Sequence, residues 1–166
     1  LAGTYSVTVT DTNQCKSISS VTLIRQALQN RKYSVGDTTS CGIVFYVDPR
    51  IDSLNPCWSR YLICAFTDQD PGIYWYNGTY LTTNATTDGL FNKANADHII
   101  RVQGDSLYAA IVCARYLPAD SSCKGWYLPS REELKLMYTN LAAKNMGGFA
   151  NEGYWSSLER RKNKAW

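Results

Sequence analysis

Residues 124–159, KGWYLPSREELKLMYTNLAAKNMGGFANEGYWSSLE, constrain the fold more than any other stretch of the chain. Pro129 has no backbone N–H to donate and suits the start of a helix. Ser130 followed three residues later by Glu133 makes a capping box, in which each side chain satisfies an orphan N–H of the other residue. Behind the cap, Leu134, Met137, Tyr138 and Leu141 recur at i, i+3, i+4 and i+7, which predicts one apolar helical face. Gly147-Gly148 is the expected stop, and Tyr154-Trp155-Ser156-Ser157 the expected aromatic strand. The stretch reads as a packing unit with no evident chemistry.

The same residues carry a resemblance. GWYLPSREEL, then GYWSSLE, then Ala165-Trp166 resemble the bacterial DUF1566 family, the group of the C-terminal domain of the Legionella collagen-like adhesin. Gly42 to Asp48 and the predicted helix around Ala109 to Cys113 fit it too, so the likeness covers about residues 33–166. It implies a C-type-lectin-like fold, surface adhesion and glycan binding. Relatives usually continue past the Ala-Trp with one or two more strands, which implies truncation here or a strand supplied by another subunit. At the other end, GTYSVTVTDTNQC resembles the closing strands of immunoglobulin-like repeats of bacterial surface proteins, with Gln14 in place of the usual glycine.

A chain of 166 residues suffices for one domain with a proper core and a small appendage. With 45% hydrophobic and 19% charged residues it is globular rather than disordered. A net charge of +3 is too mild to imply nucleic acid. No apolar run approaches membrane-spanning length, so membrane insertion is not expected. Cys15, Cys41, Cys57, Cys64, Cys113 and Cys123, in a chain rich in Tyr, Thr and Asn, predict an oxidised, extracellular protein. No Cys-x-x-Cys pair exists and His98 is the only histidine, so zinc is not expected. Of the possible pairings, Cys113–Cys123 and Cys57–Cys64 are expected as local staples, leaving Cys15–Cys41 by elimination. No signal peptide is visible, and Leu1 points to a processed or artificial start.

In chain order, residues 1–24 alternate apolar and polar positions about a turn at Asp11 to Asn13 and predict a hairpin returning over Ile18 to Leu23. Residues 25–32 are a polar, basic connector. Gly42 to Val47 and Tyr61 to Phe66 read as strands, with a loop over Asp48 to Pro56 between them. Asn92 to Ile99 and Asp105 to Tyr116 read as helices, the second with Leu107, Ala110, Ile111 and Ala114 on one face.

Two segments suggest binding. Tyr74, Trp75, Tyr76 and Tyr80 surround an Asn77-Gly78 turn, and sugars stack on such rings and hydrogen-bond such amides. The plainer alternative is a hairpin with one aromatic face buried. Arg160, Arg161, Lys162 and Lys164 form the densest positive cluster, suited to sulfated or carboxylated polysaccharide. Its plainer alternative is a solvated loop. Asp68, Asp70 and Asp88 are calcium-type ligands, yet the Glu-Pro-Asn, Gln-Pro-Asp and Trp-Asn-Asp triplets of calcium-dependent lectins are absent. His98 has no nucleophile motif beside it and reads as a surface or packing residue. Glu132 and Glu133 are helix neighbours rather than a glycosidase pair.

The resulting expectation is an α+β protein with no cofactor, no metal and no catalytic residues. It comprises a β-hairpin (1–24), a connector (25–32), and a C-type-lectin-like domain (33–166) of short antiparallel strands and two helices lacking its last strands. Its expected function is a secreted or cell-surface bacterial adhesion module that binds glycans through Tyr74, Trp75, Tyr76, Asn77 and the basic cluster. The alternative is a homo-oligomeric subunit of an extracellular fibre joined through its terminal strands.

Overall fold

The computed structural model describes residues 3–10, 16–23, 33–49, 60–79, 81–161 and 164–165. These residues form short antiparallel strand pairs and three α-helices, an α+β arrangement. The first pair joins β1 (Gly3–Thr10) to β2 (Lys16–Leu23), with Gly3 opposite Leu23 and Thr10 opposite Lys16. The return strand starts earlier than Ile18, at Lys16, which stands opposite Thr10. The turn at Asp11 to Asn13 and the connector at 25–32 lie outside the described residues.

The second pair is β3 (Ile43–Val47) with β4 (Tyr61–Cys64), both where β-branched and aromatic residues predict strands. Register slips between Val44, opposite Ile63, and Tyr46, opposite Leu62. Phe45 is the extra residue of this bulge, and its side chain is buried. Gly42 is obligatory here: a Cβ at that position would lie 2.1 Å from the Cys64 carbonyl oxygen. Most of the expected Asp48 to Pro56 loop lies outside the described residues.

The helices are α1 (Lys93–Gln103), α2 (Ala109–Ala114) and α3 (Arg131–Asn140), each within or overlapping a stretch that the sequence pattern predicts as helix, one more than the two counted for the lectin-like domain. Helix α1 runs past Ile99 and has no side-chain cap. Instead Asn92 and Asn95 both donate through Nδ2 to the Thr87 carbonyl, tying the helix start to the preceding loop. Helix α2 begins two residues after Leu107, which is 73% exposed, while Tyr108, Ala109, Ala110 and Ile111 are buried. A helix shorter than two turns has too few residues for its sequence period to set its face. The expected face of Leu107, Ala110, Ile111 and Ala114 is therefore corrected.

Helix α3 has the capping box its sequence predicts. The Glu133 N–H donates to Ser130 Oγ at 3.1 Å, and the Ser130 N–H donates to Glu133 Oε2 at 2.8 Å. The helix ends at Asn140, before the expected Gly147-Gly148 stop, and a 3-10 turn (Ala142–Lys144) follows it. The apolar face is rotated from the expected one: Tyr138 is exposed, Leu141 is fully buried, and Leu136 and Met137 pack beside Phe45.

Two apolar clusters form the core. One gathers Trp75, Ile99, Tyr108, Ile111 and Leu128; the other gathers Phe45, Leu62, Cys64 and Leu141. Residues Tyr154 to Ser157 lie between many partners but form no ladder, which corrects the expected aromatic strand. Their polar groups go elsewhere: the Ser157 N–H donates to the Pro129 carbonyl at 2.7 Å, and the Trp155 indole to the Ile73 carbonyl at 2.8 Å. The strand starts later, at β5 (Glu159–Arg161), which pairs with β6 (Lys164–Ala165). The basic segment therefore sits on a strand pair rather than in a simple loop.

The disulfide map also departs from expectation. Cys41 is bonded to Cys123, with Cα atoms 5.6 Å apart, while Cys64 and Cys113 are free thiols. This excludes Cys113–Cys123, Cys57–Cys64 and Cys15–Cys41 together. Closeness in sequence misled, because helix α2 carries Cys113 into the interior while Cys123 follows a turn beside the start of β3. Cys15 and Cys57 lie outside the described residues. No helix among the described residues is long and apolar enough to cross a membrane.

Candidate functional site

The aromatic segment around Trp75 is mostly structural. Trp75 is 1% exposed, and its indole donates to the Ser156 carbonyl at 2.8 Å, so its ring cannot receive a sugar. Among the described residues no strand pairing forms there. The backbone turns at Gly78 (φ +94°) and is held by the amide of Asn77, whose Oδ1 accepts the Thr79 N–H at 2.8 Å. Asn77 Nδ2 donates to the Gln103 carbonyl, which ties the turn to the end of α1. Of the described rings of this group, Tyr74 alone is widely exposed, edge-on to the half-buried Tyr76 at 6.4 Å. Tyr80 lies outside the described residues. Trp75→Phe keeps most of the packing but strands the Ser156 carbonyl, and is expected to cost about 1–2 kcal/mol in urea unfolding.

The described basic residues share one strand pair. Arg160 is exposed on β5, Arg161 and Lys164 stand at the paired positions of β5 and β6, and Lys162 lies outside the described residues. Preceding them, Glu159 is buried, and its Oε2 accepts from the Asn84 N–H at 2.7 Å and the Thr83 N–H at 2.9 Å. That clamp anchors the strand pair to the loop at 83–85, where the Glu159 N–H also reaches the Ala85 carbonyl at 2.8 Å.

The three candidate calcium ligands are spent on different partners. Tyr154 donates its hydroxyl to Asp68, and Asp70 accepts the Gly72 N–H. Asp88 accepts from the Glu132 N–H and the Arg131 guanidinium at the start of α3. Burial raises the Asp88 carboxyl, but those hydrogen bonds and the Arg131 charge outweigh it and hold the group below its ordinary range. Among the described residues, one grouping has metal-ligand spacing, Cys41, Asp120 and Cys123, and its two sulfurs are consumed by the disulfide. His98 contacts Arg101 one turn along α1.

The site that the fold does build is a groove of about 520 Å³. Its floor comes from Ile63 and Cys64 of β4, Val112 and Cys113 of α2, and Leu134 and Met137 of α3. Six rings line it: Tyr116, Trp126, Tyr127, Phe149, Tyr154 and Trp155. Four of them stand in edge-to-face pairs, Tyr116 with Trp126 at 4.9 Å and Phe149 with Tyr154 at 5.9 Å. Trp155 is 42% exposed, and its bond to Ile73 fixes the ring at the mouth. Tyr127 is fixed by donating its hydroxyl to the buried Glu133 at 2.8 Å. Burial, then the Glu133 charge, push that hydroxyl well above its ordinary range, so it stays a donor.

Polar groups at the rim are Thr67, Asp68, Gln69, Asp70 and Glu152. The thiols of Cys64 and Cys113 face the same groove, and burial pushes each up to about 11, which leaves them protonated and unreactive at neutral pH. Apolar walls, ring faces and a few convergent polar groups are the usual make-up of a small-ligand site. Among the described lining residues no nucleophile is paired with a base.

Sequence reasoning passed over these residues. Trp126, Tyr127, Tyr154 and Trp155 were all visible in the most constraining stretch, but their density at both of its ends was read as packing. The acidic turn at 68–70 was visible as well, and only the fold brings it to the rings. No family model, curated protein or solved structure matches this chain.

Proposed function

We propose that this protein is a non-catalytic, extracellular adhesion module of the bacterial cell surface, with a C-type-lectin-like domain that binds glycans in the aromatic groove. The observation that carries this reading is the groove itself, where the exposed Trp155 and five half-buried rings stand beside carboxylate, amide and hydroxyl groups. Pyranose C–H faces stack on such rings, and sugar hydroxyls take up such polar partners. The Cys41–Cys123 bond supports an oxidising compartment. The reading moves the binding site from Trp75 to Trp155 and Trp126, and leaves the basic strand pair as a separate surface for anionic polysaccharide.

A glycan array followed by calorimetry on the hits tests it. Trp155→Ala is expected to weaken binding about tenfold, the value of one lost stacking contact, while near-UV circular dichroism stays native. Full affinity in both Trp155→Ala and Trp126→Ala would sink the groove as the binding site.

A specific observation favours a second reading, a fibre subunit. Strands β1 and β2 form an eight-residue ribbon that pairs with no third strand among the described residues. Such ribbons are marginal alone and offer open edges to a neighbouring chain. Denaturant-resistant multimers in light scattering would support it, and a concentration-independent monomer would remove it.

A further inference from the structure

The charge at the groove has one sign. Although the chain is positive by +3, the lining residues among those described include Asp68, Asp70 and Glu152 and no Lys, Arg or His. All three acids are exposed, while the rings form the walls beneath them. Tyr154 joins the two features: it lines the groove, packs edge-on to Phe149, and donates its hydroxyl to Asp68 at 2.8–2.9 Å from the two carboxylate oxygens. A cation placed there gains from carboxylates on one side and from the negative faces of the rings on the other. An anionic ligand gains neither, and a neutral one gains only the stacking.

We infer that the groove selects amine-bearing glycans, that is, saccharides with free, protonated amino groups on sugar rings. The ammonium sits near Asp68, Asp70 and Glu152, while the ring carbons stack on Trp155 and Trp126. This rests on the glycan reading above and adds to it the charge of the ligand. It also separates the groove from the basic strand pair, whose complement is of opposite sign.

The test compares a glucosamine tetramer with its fully N-acetylated counterpart, by calorimetry at mildly acidic pH. There the sugar amine is charged. The amine form is expected to bind about tenfold or more tightly than the acetylated form, and added salt should erode that difference. Asp68→Asn combined with Glu152→Gln should bring the two affinities together. Asp97→Asn combined with Asp105→Asn, the same charge change away from the groove lining, should leave the preference intact. Equal binding of both sugars would overturn the charge inference and leave the glycan reading standing. Binding of neither, together with a positive hit among other neutral glycans, would do the same, whereas an empty array would remove both. Competition by tetralysine as effective as by the amino sugar would make this a general cation site and overturn the assignment to glycans.

Discussion

Replacing Cys41 and Cys123 by serine is expected to lower stability by about 4.5 kcal/mol, because the bond closes a very long loop. The cysteines are 82 residues apart in sequence, and the chain-entropy model gives a cost of that order for reopening such a loop. Urea unfolding of the Cys41→Ser, Cys123→Ser double variant against the oxidised protein reads it directly. A loss below about 1 kcal/mol would mean that the unfolded chain is already compact between these positions. The bond ties the segment before β3 to the loop that leads into Trp126. Its loss is therefore also expected to loosen one wall of the groove and to weaken ligand binding in a protein that still folds. Iodoacetamide at neutral pH should label the reduced protein at Cys41 and Cys123 before Cys64 and Cys113, since the last two thiols are pushed up to about 11 by burial.

Glu133→Ala is expected to cost about 4 kcal/mol, although it removes only one side chain from a helix start. Glu133 is fully buried, and its carboxylate accepts from three donors. They are the Asn92 N–H at 3.2 Å, the Tyr127 hydroxyl at 2.8 Å and the Ser130 N–H at 2.8 Å. Removing the acceptor strands all three in a site without solvent, at roughly 1–3 kcal/mol for each unsatisfied group. Glu133→Gln separates the contributions. It keeps one oxygen but turns an NH₂ toward at least one of the donors, so about half the loss is expected. Chemical denaturation orders the two variants, and a Gln variant as weak as the Ala variant would mean that the charge itself carries the site. The Ala variant also frees Tyr127, so it should reduce affinity in the groove more than its loss of global stability alone accounts for.

The capping box shows how much of this fold was local. Ser130 and Glu133 interact within one helical turn, so their spacing carried the information and the structure bears it out. The pairing of β1 with β2, and the strands β3 and β4 though not their pairing, were legible for a similar reason, since alternation and β-branched runs are properties of neighbouring residues. The sequence could not show that Glu133 also receives Asn92 and Tyr127, because those donors arrive from distant parts of the chain. The same limit explains Trp75. A tryptophan beside two tyrosines and an Asn-Gly turn looks alike whether its ring faces water or the core. The indole's partner, Ser156, lies eighty-one residues away.

Residues Tyr154 to Ser157 have strand-forming composition but no strand beside them, so their hydrogen bonds go to Pro129, Ile73 and α1 instead. Composition sets a preference for extended backbone, and only packing supplies the neighbour that turns extension into a ladder. The cysteine pairing failed on the same physics: chain proximity raises the chance of contact, but a disulfide needs Cα atoms within a few ångströms in the folded state. The groove is the extreme case, assembled from β4, the acidic turn, α2, the Trp126 segment, α3 and the Trp155 segment. By itself the sequence determined the α+β class, the capped helix, the main strands and an aromatic-rich chain with an even set of cysteines. Tertiary structure alone decided which rings are buried, which cysteines meet and where charge gathers, because those outcomes depend on contacts between residues far apart in the chain.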